Sequence, residues 1–147
     1  MFGKRNNSMS NIKRFGVSLE DDLLKRFDSL IRTLGYGNRS EAIRDLIRNR
    51  LVEEEWKDEE AQTVGVLSLV YSHERPDLTE TLNNIQHQHL NEIVSSTHIH
   101  LDHHNCLEVI ILKGSCRIIR EISDQILSTR SVKHGQLMQT TTGNHLD

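Results

Sequence analysis

Residues 13–19, KRFGVSL, alternate in polarity, with Arg14, Gly16 and Ser18 on one face and Phe15, Val17 and Leu19 on the other. That period of two is the mark of a half-buried strand. No second strand is readable nearby, because helical spacing takes over at once. Ser18 and Asp21 have the spacing of a capping box, and Leu23, Leu24, Phe27, Leu30, Ile31 and Leu34 then recur along one helical face. Gly35 and Gly37 end that helix. Asn38 can cap a second one, with Glu41 three residues on and Ala42, Ile43, Leu46, Ile47 and Leu51 as its apolar stripe. A lone strand leaves backbone donors and acceptors unpaired, and about 50 residues with two amphipathic helices bury too little apolar surface to stand alone. The first third of the chain is therefore expected to fold only with a second copy of itself.

Two copies solve both problems if their strands pair antiparallel and their four helices close a shared core. RFGVSLEDDLLKRFDSL and GYGNRSEAIRDLIR then resemble, in order and spacing, the strand, first helix and second-helix start of the ribbon-helix-helix proteins. The resemblance covers residues 12–52 and implies that the outward strand side chains enter the DNA major groove. Arg14 is the expected base reader, since a guanidinium can donate twice to guanine, and Lys13 is expected to meet phosphate or solvent. Gly16 departs from the pattern, standing where such ribbons usually carry Thr or Ser. The backbone N–H groups around Asn38, Arg39 and Ser40 open a helix and so suit a DNA phosphate. Residues 1–11, with Lys4 and Arg5, read as a flexible basic arm. A two-fold ribbon implies a palindromic double-stranded operator.

The charge distribution agrees. Residues 1–52 hold eleven Lys or Arg against six Asp or Glu, a net of +5, whereas the whole chain is at −3, which leaves −8 for the remainder. A basic module joined to an acidic one points to a polyanion as partner of the first. The switch falls at EEEWKDEE, so residues 53–61 are expected to be an acidic linker. With 35% apolar residues and 4% aromatic ones, association between copies is expected. No stretch approaches the roughly 20 apolar residues of a membrane span, and the first residues lack the apolar centre of a signal peptide, so a cytoplasmic protein with no membrane partner is expected.

Beyond the linker, residues 62–147 read as strand (TVGVLSLVYS), helix (RPDLTETLNNIQHQHLNEIV, with Leu78, Leu82, Ile85 and Leu90 near one face), two strands about a short loop (STHIHLD and CLEVIILKGS), helix (CRIIREISDQILS) and strand (VKHGQLMQ). The order βαββαβ is that of ferredoxin-like folds, including the ACT type, so the chain as a whole is α+β. Six of its nine histidines fall between 87 and 104. His98 and His100, two apart on a strand, project side by side, and with a three-residue loop Cys106 would open the next strand diagonal to His100. That supplies two nitrogens and a sulfur from one hairpin. A fourth donor has to come from elsewhere, and QHQH offers His87 and His89. With only Cys106 and Cys116 present, a disulfide scaffold is excluded, and a Cys among histidines reads as a thiolate ligand.

A ribbon-helix-helix module followed by a ferredoxin-like domain bearing QH, then HIH, then C, with CLEVIILKG behind it, resembles the nickel-responsive transcriptional regulators, the NikR family, over nearly everything after residue 11. The resemblance implies that His98, His100 and Cys106 bind Ni(II), one per subunit, in a square plane with His87 of a neighbouring subunit. The site would lie in a homotetramer, a dimer of dimers, whose ACT-like domains form the middle. Metal binding would promote operator binding and so control nickel-uptake or nickel-enzyme genes. It also implies a second cation site at Glu41 and Asp45, which lie i and i+4 on one helix face. Glu108 is expected to support the ligands or the fold, Cys116 to be buried and inert, and His73, His89, His103, His104, His134 and His145 to be exposed, with the first four open to weaker accessory sites.

Two other classes compete. A metalloenzyme would use His98, His100 and Cys106 around an open water position, but the cluster offers no evident general base and the basic ribbon would be left without a task. A ribbon-helix-helix regulator whose ACT-like domain senses an amino acid, or another metal, would make the histidine cluster incidental or differently loaded. The chain is accordingly expected not to be an enzyme.

Overall fold

The computed structural model describes residues 12–72 and 74–146. The chain divides into two compact units, one of the residues up to Arg48 together with those from His145 on, the other spanning Asn49–Asn144, so the division falls inside a helix. Residues 1–11, the expected basic arm, and His73 lie outside the described residues.

In the first unit, α1 spans Asp21–Thr33 and α2 starts at Arg39 and runs to Glu55. Among the described residues, 12–20 join no sheet, and Ile12, Phe15, Val17 and Leu19 are exposed along them. The capping box expected from Ser18 does not form: Glu20 is the N-cap, extended and without a side-chain cap, and its carbonyl accepts from Leu24 N. The extended alternation persists to Leu19, and the two acids at Asp21 and Asp22 favour the positive helix end two residues later. At the other end Gly35, at φ +82°, lets Tyr36 N reach Ile31 O (3.0 Å) and Gly35 N reach Arg32 O (3.1 Å). This paired closure requires a left-handed residue, which glycine adopts without steric cost. Asn38 caps α2 as expected, its Oδ1 accepting from Glu41 N at 3.0 Å. Ile31 and Ala42 are buried, but Leu23, Leu30, Leu34, Leu46, Ile47 and Leu51 stay exposed. Two helices alone cover little of each other's apolar stripe.

The acidic stretch over 53–61 is the last turn of α2 followed by turns, and it carries a buried anchor. Trp56 is 1% exposed, donates Nε1–H to Thr140 O at 2.7 Å, and lies beneath the Arg120 guanidinium, 5.4 Å from the ring centre. Arg120 also donates to the Trp56 carbonyl. The second unit then runs β1 (Gln62–Ser72), α3 (Pro76–Gln88), β2 (Ile93–His100), β3 (Asn105–Ser115), α4 (Cys116–Leu127) and β4 (Val132–Gln139). The sheet order is β2-β3-β1-β4, with every neighbouring pair antiparallel, which is the ferredoxin-like arrangement of two split βαβ units. Alternate residues of β1 (Leu67, Leu69, Tyr71) and β3 (Ile110, Leu112) face the helices, where Leu78, Leu82 and Ile85 of α3 and Ile119, Ile122 and Ile126 of α4 complete the core.

The helix expected to reach Val94 stops at Gln88. Glu92 O accepts from Lys113 N at 2.7 Å and Ile93 pairs with Leu112, so the β-branched Ile93 and Val94 belong to a strand, and Leu90 is left exposed in the turn. Close packing fixes one further position. A Cβ on Gly135 would strike Leu127 and lie 2.8 Å from the Ser68 carbonyl oxygen, which as backbone cannot step aside. Gly135→Ala should therefore lower unfolding stability by about 1–3 kcal/mol, measured by urea denaturation. An unchanged midpoint would mean that β4 shifts freely.

Candidate metal centre

The β2–β3 hairpin assembles the cluster. Antiparallel pairing sets His98 opposite Glu108 and His100 directly opposite Cys106, so all four side chains share one face. A three-residue loop would set Cys106 diagonal to His100 instead. The loop is longer than expected, closing through Leu101 N to Asn105 O at 2.9 Å, and this brings the pair into register. Ligand atoms of His98, His100 and Cys106 lie within 4.8 Å of one another, the grouping of this kind found among the described residues. His100 Nδ1 is 3.3 Å from Cys106 Sγ, and the two imidazole centres are 4.9 Å apart. Cys106 is fully buried while both histidines are exposed, so a sulfur at the floor faces two nitrogens at the rim. Burial, then the carboxylates of Asp102 and Glu108, push the Cys106 thiol up. A bound cation is what would compensate a thiolate there, and binding would release the proton. Two imidazoles and one thiolate suit a borderline divalent ion such as Ni(II).

Behind the cluster sits a buried carboxylate. Glu108, 6% exposed, accepts from Tyr71 Oη (3.1 Å), Gln86 Nε2 (2.7 Å) and Ser96 Oγ (2.6 Å). Tyr71 Oη is also 3.1 Å from His98 Nδ1. The phenol has one proton and gives it to Glu108, so towards His98 it acts as acceptor of Nδ1–H, which leaves Nε2 as the nitrogen that could meet a metal. Burial, then the Glu108 charge, push the Tyr71 phenol up and keep it a neutral donor. Tyr71→Phe removes this tether with little change in volume, and should weaken metal binding by about tenfold in a competition titration. Unchanged affinity would show that His98 is oriented by packing alone. The sequence alone does not single out Tyr71, Gln86 or Ser96. Tyr71 stands at an inward position of β1 and Gln86 beside His87, but neither carries a signal of its own.

The other histidines are spread out. His87 is exposed on the last turn of α3 and outside the cluster formed within its own chain. His89 is the C-cap of α3 and lies 3.9 Å from Glu92. His103, His134 and His145 are exposed, and His104 Nδ1 lies 2.5 Å from Glu74 Oε1. Cys116 is buried, with its Sγ 3.7 Å from Glu55 O, and burial pushes its thiol up.

In the first unit Lys13 and Arg14 are exposed, and a Cβ on Gly16 would meet nothing within 4 Å, so packing within the chain does not impose the glycine. The Arg39 side chain is engaged elsewhere than its helix end: its Nε and Nη2 each donate at 2.7 Å to the Asp28 carboxylate, holding that carboxyl below its usual range. Asn38, Arg39 and Ser40 thus contribute a capped helix start. Asp45 accepts from Tyr36 Oη at 3.0 Å and lies 3.9 Å from Arg48, with Glu41 one turn before it. No helix among the described residues is long and apolar enough to cross a membrane.

Residues 13–54 match the model for ribbon-helix-helix proteins of the copG family, and residues 64–140 match that for the NikR C-terminal nickel-binding domain. These two matches define a DNA-binding transcriptional regulator with a nickel-binding domain, not an enzyme. Similar chains include three each named "Putative nickel-responsive regulator". That of Nitratidesulfovibrio vulgaris is 52% identical over 94% of this chain and 99% of its own. That of Geobacter metallireducens is 51% identical with the same coverage, and that of Pyrococcus furiosus 50% identical over 92% and 98%. The chain belongs to the NikR family of nickel-responsive DNA-binding regulators.

Proposed function

We propose that Ni(II), one per subunit, is held by His98, His100 and Cys106 of one chain together with His87 of the partner subunit, at the interface of a homotetramer built as a dimer of dimers. The observation that carries this reading is the meeting of three ligand atoms within 4.8 Å on one hairpin. It is supported by the exposure of His87, on a helix end away from its own chain's triad. When bound, the ion supplies a charge that the buried thiolate requires and a crosslink between chains. The chain's own residues do the rest: Tyr71 holds His98 in one tautomer, Glu108 holds Tyr71, and Gln86 ties Glu108 to the turn that carries His87.

In this reading the exposed apolar side chains Phe15, Val17 and Leu19 and the open stripe of α1 and α2 are covered by a second copy. Residues 12–52 then act as the DNA-binding module and residues 62–147 as the nickel-binding and tetramerisation module. Arg14 reads a base, Lys13 and the helix start at Asn38, Arg39 and Ser40 meet the backbone, and the operator is palindromic. Gly16 presents no side chain to the groove. Glu41 and Asp45 form a second cation site, and the protein works in the cytoplasm on genes for nickel uptake or nickel enzymes. The test combines equilibrium dialysis of Ni(II) with genome-wide DNA binding with and without the metal. Saturation near one ion per chain and discrete nickel-dependent DNA sites are expected. Ligand-free occupancy of the same sites, with an amino acid altering it, would favour the amino-acid-sensing alternative.

A further inference from the structure

The loop between His100 and Cys106 is held by a side-chain network of its own. Asp102 Oδ1 accepts from His104 N (2.7 Å), Asn105 N (2.8 Å) and Asn105 Nδ2 (3.1 Å), and Asp102 Oδ2 accepts from Asn105 Nδ2 at 2.8 Å. The Asn105 side-chain oxygen in turn accepts from Lys133 Nζ of β4 at 2.5 Å. Asn105 immediately precedes Cys106, and its carbonyl closes the hairpin by accepting from Leu101 N, the residue after His100. The two ligands at the ends of this loop are thus joined by five residues whose shape is set by one carboxylate and one amide. Both ends of the network are anchored, one in the turn itself and the other in a strand beyond β1.

We infer that Asp102 and Asn105, braced by Lys133, are positioning residues that fix the spacing of His100 and Cys106 before metal arrives. The inference rests on the nickel reading above. A directly opposed strand pair defines where two side chains start, but the sulfur-to-nitrogen spacing also depends on how far the strand ends splay. Only one backbone bond at the closing residues, Leu101 N to Asn105 O, would resist that splaying strongly if the carboxylate were removed, because the second, Asp102 N to the same oxygen, is 3.4 Å. A site preorganised in this way does not spend binding energy on ordering the loop. Asp102 acts here through shape rather than through its charge, and this separates it from a carboxylate that merely attracts a cation.

Three variants distinguish the possibilities. Asp102→Ala removes every acceptor, Asn105→Ala removes the amide bridge, and Asp102→Asn keeps the Oδ1 acceptor for His104 N, Asn105 N and Asn105 Nδ2 while discarding the charge and the Oδ2 contact with Asn105 Nδ2. By titration against a competing chelator, the two alanine variants should bind Ni(II) about ten- to a hundredfold more weakly than wild type, and Asp102→Asn, which keeps the Oδ1 contacts, should lose clearly less than either. In the metal-free protein, amide exchange at Leu101 should quicken in the alanine variants while amides of the β1–β3 pairing stay unchanged. That pattern separates a local role from general loss of stability. Wild-type affinity in all three variants would overturn the inference, as would an Asp102→Asn variant as weak as Asp102→Ala, which would assign the effect to charge. A wild-type protein that binds no Ni(II) would overturn the nickel reading and this inference with it, an outcome distinct from wild-type binding with insensitive variants.

Discussion

Cys106→Ser should abolish the thiolate-to-nickel charge-transfer absorption and lower nickel affinity by about a thousandfold, on the order of 4 kcal/mol. The sulfur is the soft donor of the cluster and lies fully buried at its floor, where a serine hydroxyl would stay protonated and bind a divalent ion poorly. Serine has nearly the volume of cysteine, and His100 Nδ1, 3.3 Å from the sulfur, offers the new hydroxyl a partner. Helical content and assembly should therefore persist, and circular dichroism checks that they do. Nickel-dependent operator binding should disappear, while weak salt-sensitive binding through the basic first third of the chain remains. A Cys106→Ser variant with wild-type nickel affinity would remove the thiolate from the site.

Why the hairpin was legible and its surroundings were not follows from range. His98 and His100 share a face because strand side chains alternate. Such signals are local. The opposition of His100 and Cys106 depends on the length of the turn, and loops of three and four residues both fit the letters between them. The support for Glu108 comes from Ser96, Gln86 and Tyr71, which stand 12, 22 and 37 residues away, so only the folded sheet brings them together. Leu90 and Ile93 continue the helical stripe of α3 on paper, and the choice of strand is made by pairing with Leu112, a long-range term. In the first unit the alternation of residues 13–19 is plain, yet it forms no sheet within one chain. Among the described residues no strand pairs with it, so local alternation alone does not say where its hydrogen bonds go.

Mixing His87→Ala with Cys106→Ala, under conditions that allow subunit exchange into hybrid assemblies, should restore nickel absorption that neither variant shows alone. If sites are shared, the first variant contributes an intact His98, His100 and Cys106 triad and the second an intact His87. One site of each mixed pair is then whole, and its counterpart lacks both donors. If all four ligands came from one chain, every site in the mixture would lack one donor and no absorption would return. The distinction matters for function because a site within one chain can only stabilise that chain. A shared site instead ties metal occupancy to the disposition of two chains and, through them, of the DNA-binding halves. The exposed position of His87 at the end of α3, with Gln86 beside it bonded to Glu108, is what such sharing requires: a ligand presented outward from a turn that is itself held firm. Recovery should reach about half of the wild-type signal per mixed pair, since only one of two sites is intact. Subunit exchange is verified with mass-labelled chains, and exchange without any recovery would refute the shared site.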